Sequence, residues 1–173
     1  MKKLLLAFIF TCGSFALSAQ KLTQKDTTKP IVYTSPVKVP NTSVSIFPPA
    51  YFKASDKFNG FIHDGAGATI QINETTGRPY PVMAQAMANK ANLEKQGITL
   101  ISQEDFTTTS GKKGILIVIG FSVKGPTKTF DYERMVFLTG DYDKTIIINM
   151  NYPTVAKDIL FNVLKKSLLS VSY

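Results

Sequence analysis

The sequence predicts an α+β protein, an α/β/α sandwich built around a central antiparallel sheet of about six strands with two main helices. Two apolar runs of strand length, GILIVIGFSV (114–123) and KTIIINMNY (144–152), read as strands covered on both faces. The junctions between strand-like stretches carry turn residues: Ser110-Gly111-Lys112-Lys113, Lys124-Gly125-Pro126 and Gly140-Asp141-Tyr142-Asp143. Such short connections imply antiparallel neighbours, and two segments of helical periodicity interrupt them, so strands and helices are segregated as in an α+β fold.

Taken in order, the chain opens with Met1-Lys2-Lys3, the apolar run LLLAFIFTCGSFAL, and Ser18-Ala19-Gln20. A basic start, a short apolar centre and small residues at its end are the parts of a secretory signal peptide, expected over residues 1–19 with cleavage after Ser18 or Ala19. The apolar run is shorter than the roughly 20 residues that span a bilayer. Cys12, the one cysteine of the 173 residues, lies inside it, and Thr11 stands where a lipidated cysteine needs a very small neighbour. Export would therefore leave a mature chain without thiol catalysis, cysteine metal sites or disulfides.

Residues 20–43 mix Thr and Lys with Pro30, Pro36 and Pro40 and carry few periodic apolar positions. They read as a flexible arm before a single domain of residues 44–173, long enough to bury about two-thirds of its unfolded surface. SVSIFPP (43–49) and ATIQINETT (68–76) alternate in polarity, with Ile70 and Ile72 on one face. A helix follows Arg78-Pro79-Tyr80-Pro81, where proline suits the first turn, and ends at Gly97, suited to a left-handed cap. Val82, Met83, Ala86, Met87 and Leu93 form its apolar stripe. ITLISQEDFTTT (98–109) and KTFDYERMVFLTG (128–140) supply further strands. The final helix begins near Thr154, with Val155, Ile159, Leu160, Val163, Leu164 and Leu168 on one stripe and Lys165 and Lys166 near its negative end. Both stripes are expected to be core.

Formal charge is +8, or +6 once Lys2 and Lys3 leave. Apart from Arg78 and Arg134 the cations are lysines scattered along the chain, so planar bidentate phosphate contacts are few and nucleic-acid binding is not expected. A mildly basic exported domain meets an anionic membrane surface or acidic wall polymer at most peripherally.

The chemically suggestive stretch is HDGAGATIQINETTG (63–77), which holds the single histidine. A phosphate loop leads into a helix N-terminus, whereas this one leads into a strand, so Asp64-Gly65 is read as a hairpin turn. His63 and Asp64 remain candidate ligand-binding residues, as do Asp141 and Asp143 in GDYDKT. The last pair lacks the glycine and the twelfth-position glutamate of a calcium loop, residue 152 being tyrosine. No GxSxG elbow or histidine pair occurs, so no catalytic residue, metal or cofactor is assigned.

Together, SVSIFPPAYF, KFNGFIH, GATIQINE, LISQEDF and LTGDYDKTIIINMNYP before a C-terminal helix resemble the PsbP-like superfamily, which includes the photosystem II extrinsic protein and DcrB-type bacterial envelope proteins. The likeness spans residues 44–173. It implies the same α/β/α sandwich and a binding or assembly role without catalysis; no site residues carry over. The expected function is therefore an exported, non-enzymatic binding or accessory module of the bacterial envelope, periplasmic or extracellular, with an envelope protein or small ligand as partner. Two alternatives are a small carboxylate-dependent hydrolase or lyase, and a carrier of an amphipathic ligand held between sheet and helix against Met83 and Met87.

Overall fold

A computed structural model describes residues 30–173. The expected signal peptide and the first part of the expected arm lie outside these residues. Nine strands and three helices follow in the order β1 (Val37–Lys38), β2 (Ser45–Ile46), β3 (Lys53–Ala54), β4 (Gly60–His63), β5 (Ala68–Thr76), α1 (Tyr80–Met87), α2 (Lys90–Lys95), β6 (Thr99–Thr107), β7 (Lys113–Lys124), β8 (Thr129–Gly140), β9 (Lys144–Pro153) and α3 (Lys157–Leu169). Seven strands form one sheet, in the order β3-β4-β5-β9-β8-β7-β6, and every pairing is antiparallel. The class and layering are those predicted, with one strand and one helix more.

The extra helix arises because the expected 79–97 segment breaks. α1 closes at Ala88, and Asn89 then starts α2 by accepting the Asn92 amide on its side chain, the competition by which asparagine favours caps over helix interiors. Gly97 does end the pair in a left-handed conformation, its amide on the Glu94 carbonyl and that of Ile98 on Leu93. On α1, Met83 and Ala84 are buried while Val82 is exposed, so the buried stripe is rotated from the expected one.

Two apolar clusters sandwich the sheet. On one face α1 and α2 set Met83, Ala84 and Leu93 on Ile117, Ile119, Val136 and Leu138. On the other, α3 lays Leu160, Leu164 and Leu168 on Met135, Phe137, Ile146, Ile148 and Met150, and Ile70 and Ile72 join them. The α3 stripe thus differs from expectation: the segment Thr154–Ala156 is a 3-10 turn and the helix begins at Lys157, Val155, Ile159 and Val163 point to solvent, and Ser167 is buried in their place. Gly60 is required where β4 meets β5, since a Cβ there would lie 1.9 Å from the Ile70 carbonyl oxygen.

The arm also differs from expectation. β1 pairs with β2, Val39 is fully buried, Tyr33 donates its hydroxyl to the Phe52 carbonyl, and its ring meets Phe61 edge-on. The folded domain therefore starts well before Val44. Prolines and lysines hide the few apolar side chains that anchor this segment.

Candidate functional site

The predicted site residues serve the two hairpin tips. Asp64–Ala66 make a single 3-10 turn, closed by Gly67 in the left-handed region, and His63 Nδ1 accepts the Ala66 amide at 3.3 Å. That bond requires the unprotonated nitrogen to face the backbone. The His63 ring stacks on Tyr51 and meets Phe52 edge-on. Asp64 pairs with Lys53 at 2.6 Å, both side chains largely in water. At the β8–β9 tip, Asp141 Oδ1 accepts the amides of Asp143 and Lys144 at 2.9 and 2.7 Å. Those backbone donors, with Lys144 adding a smaller attraction, hold its carboxyl below the usual carboxylate range. Asp143 contributes its carbonyl, which accepts the Gly77 amide.

The tips lie at opposite ends of the sheet. Thr69 pairs with Asn151 beside the first and Thr76 with Lys144 beside the second, a separation of roughly 23 Å at 3.3 Å per strand residue. Glu104, on the far edge strand, binds Lys165 of α3. Asp64, Glu104, Asp141 and Asp143 therefore do not converge, and among the described residues no cluster of three His, Cys, Asp or Glu could hold a metal.

The structure instead assembles a site that local sequence does not display. α1 and α2 cover only one end of their sheet face. Val136 lies under α1, and side chains two residues apart share a face, so Arg134 and Tyr132 continue the same face beyond the helices. Register then sets a row across six neighbouring strand pairings: Lys53, Ile62, Thr69, Asn151, Arg134, Ile119 and Leu100. Within it Asn151 donates to Thr69 Oγ1 at 2.9 Å and accepts Arg134 Nε. The guanidinium carbon lies 5.1 Å from the Phe121 ring centre, and Phe121 stacks on Tyr132. Gln71 and Asn149, paired with each other, border the row.

Thr69, Asn151, Arg134, Phe121 and Tyr132 are half-buried rather than flexible in water. Asn151 and Phe121 hold the guanidinium from its edge and its face, which orients a planar cation in advance of any ligand. An oriented cation among amides, a hydroxyl and aromatic rings is suited to a phosphate or carboxylate group. Sequence periodicity marks Arg134 and Asn151 only as polar positions in strands; the pairing of β5, β9 and β8 makes them neighbours.

On the opposite face of the same strands, Glu133 is buried and fully engaged. Tyr152 donates to its Oε2 at 2.7 Å and Lys157 to its Oε1 at 2.8 Å. This cluster fastens the start of α3 to the sheet. Burial, reinforced by the Glu133 carboxylate, pushes the Tyr152 hydroxyl far above its ordinary range, so it acts as a donor.

Among the described residues no helix is long and apolar enough to cross a membrane. No known family's sequence profile matches the chain, and no curated protein matches it. Its fold is similar to that of a Pseudomonas aeruginosa protein of unknown function, at 15% identity and TM-score 0.50 over 84% of this chain and 98% of that one. It is similar also to LpqN of Mycobacterium tuberculosis, a protein involved in cell envelope biogenesis, at 12% identity and TM-score 0.52 over 83% of this chain and 88% of that one. At such identities the likeness is one of fold.

Proposed function

We propose that the protein is an exported, non-enzymatic binding module of the bacterial cell envelope with a PsbP-like fold. Its binding surface is the open end of the sheet around Arg134, and its ligand is an envelope component bearing phosphate or carboxylate. The observation that carries this reading is the guanidinium held between Asn151 and Phe121 on a face the helices leave uncovered. The net positive charge favours the same ligand class, and the fold shared with LpqN is compatible with an envelope role. A carboxylate-dependent hydrolase draws less support, because the acids it would use stand at separate ends and edges of the sheet. The carrier reading draws less as well, because Met83 is packed into the core between α1 and the sheet.

The test is retention of the protein purified from its host on two probes: vesicles of phosphatidylglycerol and purified peptidoglycan sacculi. Binding to one of them, reduced about tenfold or more in Arg134→Gln with circular dichroism unchanged, is the expected result. Retention on neither, or equal retention of Arg134→Gln, overturns the site. A chemically altered probe recovered after incubation overturns the non-enzymatic part.

A further inference from the structure

The outer surface of α3 carries aliphatic side chains where a solvated helix normally carries polar ones. Ile159 and Val163, four residues apart on one side of α3, are 72% and 40% exposed, and Val155, in the 3-10 turn Thr154–Ala156 that leads into the helix, is 98% exposed. Ile159 and Val163 are β-branched, so they lose rotamer freedom in the helix and gain nothing from water there. Phe47, 37% exposed, stands at the C-terminal end of the helix. Phe47 is fastened beside the helix by its amide on Ser170 Oγ and its carbonyl on Ser167 Oγ. The buried apolar face of α3 is separate and complete, made by Leu160, Leu164 and Leu168.

The charges beside Ile159 and Val163 are distributed unequally along the helix. Asp158 occupies the first turn and Lys166 the last, both exposed. Laid parallel, two such helices would oppose like charges. Laid antiparallel about a point between Ile159 and Val163, they set Ile159 of each copy against Val163 of the other. They also bring Asp158 of each copy to the end that carries Lys166 in the other, with the helix dipoles opposed. A twofold arrangement makes every one of these contacts twice.

We propose that the outer face of α3, with Phe47, is the contact surface of a homodimer in which two α3 helices pack antiparallel. This surface lies across the sheet from the Arg134 face, so both operate in one assembly and the dimer stands independently of the ligand proposal.

Sedimentation equilibrium of the protein purified from its host tests it. Wild type is expected at twice the monomer mass. Ile159→Asp, at an exposed position, is expected to sediment as a monomer with unchanged circular dichroism and thermal midpoint. Asp158→Lys and Lys166→Asp each weaken dimerisation by about tenfold, and the double exchange Asp158→Lys with Lys166→Asp restores it. A wild-type monomer at about 100 μM overturns the proposal, as does an unaffected Ile159→Asp dimer. Co-flotation of a wild-type monomer with phosphatidylglycerol vesicles, lost in Ile159→Asp, overturns it in favour of a membrane surface.

Discussion

Tyr152 and Glu133 stand opposite each other in the ladder between β9 and β8, and the tyrosine hydroxyl donates to the glutamate at 2.7 Å inside the core. Neither has a nearby source of water to replace the other, since Tyr152 is fully buried and Glu133 is 5% exposed. Lys157 brings the compensating charge from α3. The bond therefore joins strand pairing to helix docking: loss of the hydroxyl leaves a buried carboxylate oxygen short of a donor.

Tyr152→Phe, which keeps the ring, is expected to destabilise the fold by about 1–3 kcal/mol, read from urea unfolding at pH 7. Lys157 is half-exposed, so Lys157→Met is expected to cost less, about 1 kcal/mol. Because the folded tyrosine has a raised pKa, its contribution is fully present below the ordinary tyrosine value of about 10 and is lost as pH rises above it. Urea midpoints across that range, in wild type and Tyr152→Phe, should converge at high pH.

At the other end of the sheet Glu74 joins the N-terminal segment to β5 and β9. Burial pushes its carboxyl up, but the Ser43 hydroxyl and amide, with Lys144, outweigh it and leave the carboxyl below its usual range. A depressed carboxylate contributes stability above its unfolded value, about 4.3, and loses it as pH falls through the folded one. Glu74→Gln is therefore expected to be less stable than wild type at pH 7, by about 1 kcal/mol, and to lose less stability between about pH 5 and pH 3.

The N-terminal segment is predicted to be part of the folding unit. Val39→Ala should cost about 1–3 kcal/mol, since the side chain is fully buried, and a chain truncated through Ser43 should lose more. The thermal midpoint reads this at roughly 2–4 °C per kcal/mol for a chain of this size.

His63 and the two buried isoleucines of β5 should separate cleanly. His63→Ala removes a turn cap and a ring contact at a half-exposed hairpin, for about 0.5–1 kcal/mol. Ile70→Ala and Ile72→Ala each open a cavity at a fully buried position, for about 2–5 kcal/mol. Chemical denaturation of the three variants checks the order, and a His63→Ala variant as unstable as either isoleucine variant would contradict it.

The sequence by itself determined what depends on neighbours in the chain. Alternation at Ile70 and Ile72, the apolar runs of β7 and β9, the glycine and aspartate turns and the Gly97 stop are local signals, and each stands in the structure where it was read. The expected turn at Asp64-Gly65 is likewise a hairpin, because a turn that passes into a strand has no helix end to hold an anion.

Only the tertiary structure decided which surfaces are buried and which face solvent. α3 carries two apolar sets, Leu160–Leu164–Leu168 and Ile159–Val163, and composition alone does not choose between them; the sheet buries one and leaves the other outside. The N-terminal arm looks solvated until Val39 and Tyr33 find partners far along the chain. Arg134 meets Asn151 and, through it, Thr69 because strand register aligns residues that are 17 and then 82 positions apart. Such alignment is set by the packing of every strand between the two edges, a long-range condition that no stretch of local periodicity encodes.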